Sequence, residues 1–296
     1  MTLTRLALVI AFGPPGTGKT STILAMAKEY YQNDFRSMVM EINASDDRGL
    51  DVVKGRIKSF VETASLSGKS VKLVILDEAD ALTTEAQSAL RSVMEKSSVL
   101  VRFCFCCNYV NKISIPLQSR CTKFRFQGIN RDSLKQMASE ICEKEGLIFE
   151  EGAVEVVLDL SNGDARRVIN LVQSAFLSTQ RPSTTSAISV EHVYQLSGSI
   201  SPKDMDRIFR TLLEKSFKDS FDDINKLVQD KGYALTDIVS GLTPRVLAAF
   251  STDNTRLCDL LDEFSNIEYN LAGGGSEKLA VGHIVSSFHL ENRSKK

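Results

Sequence analysis

Up to about residue 127, short apolar runs alternate with stretches in which apolar residues recur every three or four positions. The strand-like runs are LALVIAF, MVMEIN, VKLVILD, VRFCFCCN and TKFRF, the first four largely apolar. Between them STILAMAKEYY, GLDVVKGRIKSFVETA and TTEAQSALRSVMEK carry helical spacing. Strands buried on both faces lose the in–out alternation of half-exposed ones, so this pattern predicts a parallel sheet covered by helices on both sides. After Phe126 the strand-like runs stop. From 128 to about 195 three helices are expected. RDSLKQMASEICEKEG has Leu134, Met137, Ala138 and Ile141 on one face and Gly146 as a stop; GAVEVVLDLS and DARRVINLVQSAFLS follow. TQRPSTTSA then reads as a polar, turn-rich connection. From about 199 the pattern is helical again, beginning at SPKDMDRIF, where Ser201 can cap and Pro202 suits the first helical position. Pro244, inside ALTDIVSGLTPRVLAAF, is expected to kink or split its helix because it removes a backbone donor. GGGS at 273–276 separates the last two helices, and ENRSKK is a frayed tail. The expected fold is α/β: a sheet domain over 1–127, a small helical lid domain over 128–195 and an all-α C-terminal domain over 196–296.

A chain of 296 residues with 43% hydrophobic residues is long enough for two or three cores. Its 36 basic and 37 acidic residues nearly cancel, so contact with nucleic acid requires a local basic stripe rather than a global attraction. The six cysteines, Cys104, Cys106, Cys107, Cys121, Cys142 and Cys258, show no paired CxxC spacing of the zinc-site kind and no neighbouring histidine. That argues against a zinc site and a disulfide framework, and for reduced thiols in cytosol or nucleus. LTRLALVIAF is apolar but too short to span a bilayer, and it leads into a glycine loop, so it reads as a strand rather than a signal peptide.

That glycine loop, GPPGTGKT at 13–20, is the first candidate for chemistry. With an apolar strand before it and a helix after it, it satisfies the phosphate-loop pattern through Gly13, Gly18, Lys19 and Thr20. Glycines let backbone N–H groups close on phosphates and the helix N-terminus favours negative charge; Lys19 reaches the outer phosphates and Thr20 can bind magnesium. Pro14, Pro15, Gly16, Thr17 and Ser21 complete the expected cradle. LVILDEAD places Asp77 and Glu78 at the end of a buried strand, where doubly wound folds bind ligands. Asp77 would hold magnesium and Glu78 would orient and deprotonate the attacking water. Taken alone, the same four residues could be a helix cap with solvated acids.

Other positions are less specific. Asn108 ends VRFCFCC and could hydrogen-bond water and a γ-phosphate, or be a turn asparagine. Arg120 in SRC and Arg166 in GDARR could supply charge to a phosphoryl transition state, from a neighbouring subunit or from a lid, or could be surface arginines. In NASDDRGLDVVKGRIKSF, Arg48 and Gly49 stand at a helix start, with Lys54 and Lys58 four apart and Arg56 nearby; Val53, Ile57, Phe60 and Val61 supply the apolar face. A helix start flanked by cations suits a phosphate backbone, and it also suits a solvated face. In TTEAQSALRSVMEK, Leu82, Ala86, Ala89, Leu90 and Val93 are expected inward and the polar residues outward.

With FGPPGTGKTST, NASDDRG, LVILDEADALT, AQSALRSVMEK, LQSRCTKFRF and LSNGDARRVIN in this order, the chain resembles the small subunits of the eukaryotic clamp loader, replication factor C. RFCFCCNYVNKI and IEYNLAGGGSEK look most like the subunit numbered five in animals. The likeness runs along essentially the whole chain and is looser in the C-terminal part. It implies an AAA+ ATPase that joins a hetero-pentameric ring through a helical collar and works in the nucleus in DNA replication and repair. With ATP and Mg2+ such a ring opens the sliding clamp PCNA and places it on primer-template DNA. It also implies roles: Gly13 to Thr20 as the phosphate loop, Asp77 and Glu78 as the magnesium and catalytic carboxylates, Asn108 as first sensor, Arg166 as lid sensor, and Arg120 acting in trans. Arg48 and the helix after it, with Lys54 and Lys58, would track the template strand, and the helix from Thr83 to Lys96 would lie on the clamp. The sequence departs from the family where a KYRP-like segment usually precedes the first strand and packs around adenine, which leaves open a structural ring subunit that donates its arginine without hydrolysing ATP. It departs also at Ser92, where a second arginine usually follows Arg91, and at Pro244.

Overall fold

The computed structural model describes residues 8–45, 55–60, 71–97, 101–179 and 187–289. Five parallel strands, β1 (Leu8–Phe12), β2 (Val39–Asn43), β3 (Lys72–Asp77), β4 (Val101–Cys107) and β5 (Thr122–Arg125), form one sheet in the order β2-β3-β4-β1-β5. All four strand pairings are parallel, as continuous apolar runs require. Alternate residues of each central strand face opposite sides. Ile10, Val74, Leu76, Phe103 and Phe105 pack with Ala86, Leu90 and Met94 of α4 (Thr84–Ser97) and with Ile57 of the helical stretch 55–60, here α3. Ala11, Leu73, Ile75, Cys104 and Cys106 pack on the other side with Ile23 and Ala27 of α1 (Lys19–Tyr31). A one-turn α2 (Phe35–Met38) leads into β2. A second one-turn helix, α5 (Ile115–Gln118), precedes β5.

Next come α6 (Arg131–Glu145), capped by the Asn130 side chain and stopped by left-handed Gly146, then α7 (Ala153–Ser161) and α8 (Ala165–Thr179). The contacts divide the chain into two compact units. The first comprises Met1–Leu147 with Val157–Gln173, and so holds the sheet with α6, most of α7 and the first part of α8. The second comprises Ile148–Val156 with Ser174–Lys296.

Within the second unit, α9 (Val190–Ser197) is a helix that the sequence reading missed, lying after its polar connection and before the helical pattern it placed from about 199. Its ends carry ordinary signals, a Ser189 side chain that accepts from the His192 N–H and a left-handed Gly198. Among the described residues no strand follows β5, as expected after Phe126; Phe149 and Ile188 form only an isolated parallel bridge. Five longer helices follow: α10 (Pro202–Glu214), α11 (Phe217–Lys231), α12 (Leu235–Ala249), α13 (Asn254–Ala272) and α14 (Glu277–His289). They enclose a core that includes Ile208, Ile238, Leu242, Phe264, Ile284 and Phe288. Ser201 caps α10 by accepting from the Asp204 N–H, with Pro202 at its start.

Pro244 does not split α12, which runs unbroken from Leu235 to Ala249. The carbonyl that loses its donor is that of Ser240, an exposed residue, so water can satisfy it. Thr243 Oγ1 donates to the Val239 carbonyl and an Arg245 guanidinium N–H to that of Gly241, reinforcing both sides of the gap.

Candidate nucleotide-binding site

β3, β4 and β1 are neighbours in the sheet, and their C-terminal ends release the three sequence motifs side by side. Phe12 and Cys107 are register partners, so the glycine loop and Asn108 leave the sheet at the same level. The loop needs its glycines for specific reasons. Gly13 lies at φ +150°, and an added Cβ would stand 2.1 Å from the Phe126 carbonyl oxygen. Gly16 lies at φ +66° with a Cβ position 1.6 Å from Asp164 Oδ1, and Gly18 at φ +82° begins α1. Thr17 Oγ1 donates to the Pro14 carbonyl at 2.9 Å, closing the loop on itself.

Lys19 is buried at the first position of α1. Its ammonium donates to the carbonyls of Gly13 (2.9 Å) and Pro14 (2.7 Å) and to Asn108 Oδ1 (2.9 Å). Burial pulls its pKa below the ordinary lysine value, while the Asp77 carboxylate opposes that shift. Thr20 Oγ1 donates to Asp77 Oδ2 at 2.9 Å, and Asp77 Oδ1 accepts from the Glu78 N–H at 2.9 Å. Glu78 itself is exposed and lies at φ +51°, a left-handed conformation that costs a non-glycine residue roughly 1 kcal/mol. Such strain persists where surrounding structure enforces it, and here it turns the chain sharply at the strand end. Asp80 Oδ2 accepts from the Tyr109 N–H, tying the carboxylate turn to the segment that carries Asn108.

A cavity of about 220 Å³ lies over these groups, lined by Pro15 to Ser21, Asp77, Glu78, Asn108 and Arg166. Ile129, Ala165 and Ile169 line it as well, and sequence reasoning did not single them out. Ile169 stands three residues after Arg166 on α8, so helical spacing was the signal available for it; Ile129, just before the Asn130 cap, carried none. Gly13 and Pro14 support the loop from beneath through the carbonyls that accept from Lys19. The first helical N–H of α8, that of Ala165, donates to the Gly16 carbonyl, and Asp164 Oδ1 accepts from the N–H of Arg166 at 2.8 Å. Arg166 is thereby placed at the rim by a helix end seated on the phosphate loop.

The donor set fits a magnesium-bound nucleoside triphosphate. A cradle that a Cβ at Gly13 or Gly16 would obstruct, an ammonium among oxygen acceptors and a hydroxyl–carboxylate pair 2.9 Å apart match a triphosphate and a hard divalent cation. The cysteines take no part. All six are free, and burial pushes Cys107 up to about 12 and Cys121 up to about 11, so those thiols stay protonated at neutral pH.

Arg120 is not among the residues lining this cavity. Its guanidinium bonds Glu95 Oε1 at 2.9 Å and the Pro116 carbonyl at 3.1 Å, and the side chain is 39% exposed. Arg48 and Lys54 lie outside the described residues, whereas Lys58 is exposed on α3 and Ile57 and Phe60 face inward. Leu82 just before α4 and Ala86 and Leu90 on it are buried as expected, but one polar residue expected outward is not. Gln87 is 2% exposed; its amide donates to the carbonyls of Leu82 and Lys112, and its Oε1 accepts from the Ser114 N–H at 2.7 Å. A buried amide is tolerated because those three bonds satisfy it. Among the described residues no helix is long and apolar enough to cross a membrane.

Comparison with known proteins places these features in a family. The model for the ATPase family associated with various cellular activities (AAA) matches residues 9–129, and the replication factor C C-terminal domain matches residues 200–287. "Probable replication factor C subunit 5" of Dictyostelium discoideum is 43% identical over 95% of this chain and 80% of its own length. "Replication factor C subunit 3" of Oryza sativa subsp. japonica is 41% identical over 96% of the chain and 78% of its own length. "Replication factor C subunit 5" of Homo sapiens is 39% identical over 97% and 82%.

Proposed function

Because the chain belongs to the replication factor C small-subunit family of AAA+ ATPases, we propose that it binds and hydrolyses ATP within a five-subunit clamp loader ring. The ring uses ATP to open the PCNA sliding clamp and set it on primer-template DNA, in nuclear replication and repair. Its work divides among a sheet domain (1–127), a lid (128–195) and a collar (196–296) that joins the ring. The observation that carries this reading is the convergence of Lys19, Thr20, Asp77, Glu78, Asn108 and Arg166 on one cavity at the sheet edge.

Each residue then has a task set by its chemistry. The loop N–H groups and the start of α1 hold the phosphates, and Lys19 exchanges its carbonyl partners for phosphate oxygens. Thr20 and Asp77 would hold Mg2+, which when bound neutralises phosphate charge. Glu78, exposed at the cavity, orients a water molecule and takes its proton as that water attacks the γ-phosphorus; the bond to the leaving ADP oxygen breaks. Asn108 holds the water–phosphate geometry, and Arg166 reports the phosphates to α8. Ile129 and Ile169 offer an apolar wall for the base. Arg120 does not line its own cavity and follows a segment whose Ile115 is 79% exposed, which supports the reading that it acts on a neighbour's ATP in trans. Arg48, Lys54 and Lys58 follow the DNA backbone, and α4 lies on the clamp.

Calorimetry with MgATP tests this directly, on the chain alone and in the assembled ring. Binding should vanish in Lys19→Ala and survive in Glu78→Gln, which should hydrolyse at least ~100-fold more slowly. No binding by the wild-type chain in either setting would leave it as a ring scaffold and arginine donor, and undiminished hydrolysis by Glu78→Gln would remove the assigned base.

A further inference from the structure

The carboxylate of Glu95 connects α4 to the arginine assigned to the neighbouring site. Its Oε1 accepts from Arg120 at 2.9 Å and from Arg91 Nε at 3.1 Å, while Arg120 also donates to the Pro116 carbonyl at 3.1 Å. Arg91 and Glu95 are one helical turn apart on α4, which by the reading above lies on the clamp. Arg120 stands two residues beyond α5. An arginine side chain with several rotatable bonds, just beyond a short helix, has many ways to miss a phosphate. Here two fixed acceptors on two different elements restrict it.

The ion pair is half-exposed on both sides, so its effect on stability is small and screened. Its effect on geometry is different in kind, because a charge misplaced by about 1 Å can cost on the order of 100-fold in rate. A planar guanidinium has donors enough to keep the Glu95 contact with one edge while presenting another edge outward.

We propose that Glu95 is a positioning residue for Arg120: it holds the guanidinium in the pose that serves the neighbouring subunit's ATP, and so couples α4 to that site. This rests on the trans role of Arg120 proposed above. Any shift of α4 against α5 is transmitted to Arg120 through one carboxylate oxygen, and Arg91 fixes that oxygen from the other side.

The test uses complete five-subunit rings in which only the neighbouring site that Arg120 faces keeps a working phosphate loop, with PCNA and primer-template DNA present. Steady-state ATPase is measured for Glu95→Ala, Glu95→Gln, Arg120→Ala and the double variant Glu95→Ala/Arg120→Ala. Glu95→Ala should lower kcat about tenfold with little change in KM. Glu95→Gln, which keeps an acceptor oxygen, should recover much of that loss, and Glu95→Ala should add nothing to Arg120→Ala. An additive double variant, an unchanged kcat in Glu95→Ala or an effect confined to KM would overturn the inference while leaving the arginine's role intact. A silent Arg120→Ala would instead remove the trans reading and the inference with it. Both positions are surface residues, and unchanged ring assembly by sizing chromatography shows that lost rate is not lost folding.

Discussion

At Gly16 a backbone φ of +66° and a Cβ position 1.6 Å from the Asp164 carboxylate leave room for no side chain. Gly16→Ala should therefore push Asp164 and the start of α8 off the phosphate loop. MgATP affinity should fall by at least tenfold in calorimetry while the far-ultraviolet circular dichroism of the chain stays the same; unaltered affinity would show that the loop tolerates the displacement. Gln87 makes the opposite argument, that a polar side chain can be core. Gln87→Leu keeps the volume but strips partners from the Ser114 N–H and two carbonyls. It should lower stability by about 1–3 kcal/mol in denaturant titration, the penalty for unsatisfied buried groups. The phosphate-loop and carboxylate residues were legible in the sequence because their chemistry depends on residue type and close spacing. Gln87 was not, because two of its three partners lie 25 and 27 residues away and all three are backbone groups.

Two elements of the second unit invite separate tests. In α12 the helix continues through Pro244 at the expense of one backbone bond. Pro244→Ala restores the donor to Ser240 and should raise stability by about 1–2 kcal/mol, less than the full helix-interior penalty because proline also restrains the unfolded chain. A lower thermal midpoint would mean that the proline ring packs better than its lost bond suggests. At the start of α10, Asp204 Oδ2 accepts from Ser201, Lys231 and Tyr233. Burial alone would raise its pKa, but those donors together hold it below the usual aspartate value. A carboxylate with a depressed folded pKa contributes stability above its unfolded value near 4 and loses it as pH falls through the folded value. Acidification from pH 5 to pH 3 should destabilise the wild-type chain more steeply than Asp204→Asn. Parallel pH profiles would show that the network contributes no linkage. The cap at Ser201 was readable in advance, since capping is a relation among three neighbouring residues; the roles of Lys231 and Tyr233 were not.

At the scale of the whole molecule, the trans role proposed for Arg120, which does not line the chain's own cavity, means that Arg120→Ala should separate binding from turnover. In the assembled ring it should leave this subunit's MgATP affinity within twofold and slow the neighbour's hydrolysis at least 100-fold, as loss of a charge-stabilising arginine does elsewhere. An effect on its own subunit's affinity alone would place Arg120 in cis. What the sequence by itself determined is most of the elements and the kind of chemistry proposed for them. Four apolar runs and a fifth, mixed one pointed to a parallel sheet, and the two motifs suggested a phosphate cradle and its carboxylates, because periodicity and short motifs are local properties of the chain. Tertiary structure alone decided the strand order β2-β3-β4-β1-β5, which brings the ends of β1, β3 and β4 together. It also decided the apolar wall of Ile129 and Ile169, the burial of Gln87, the continuity of α12 and the pairing of Arg120 with Glu95. Each of these depends on which surfaces meet when the chain folds, and packing brings together residues that no spacing in the sequence relates.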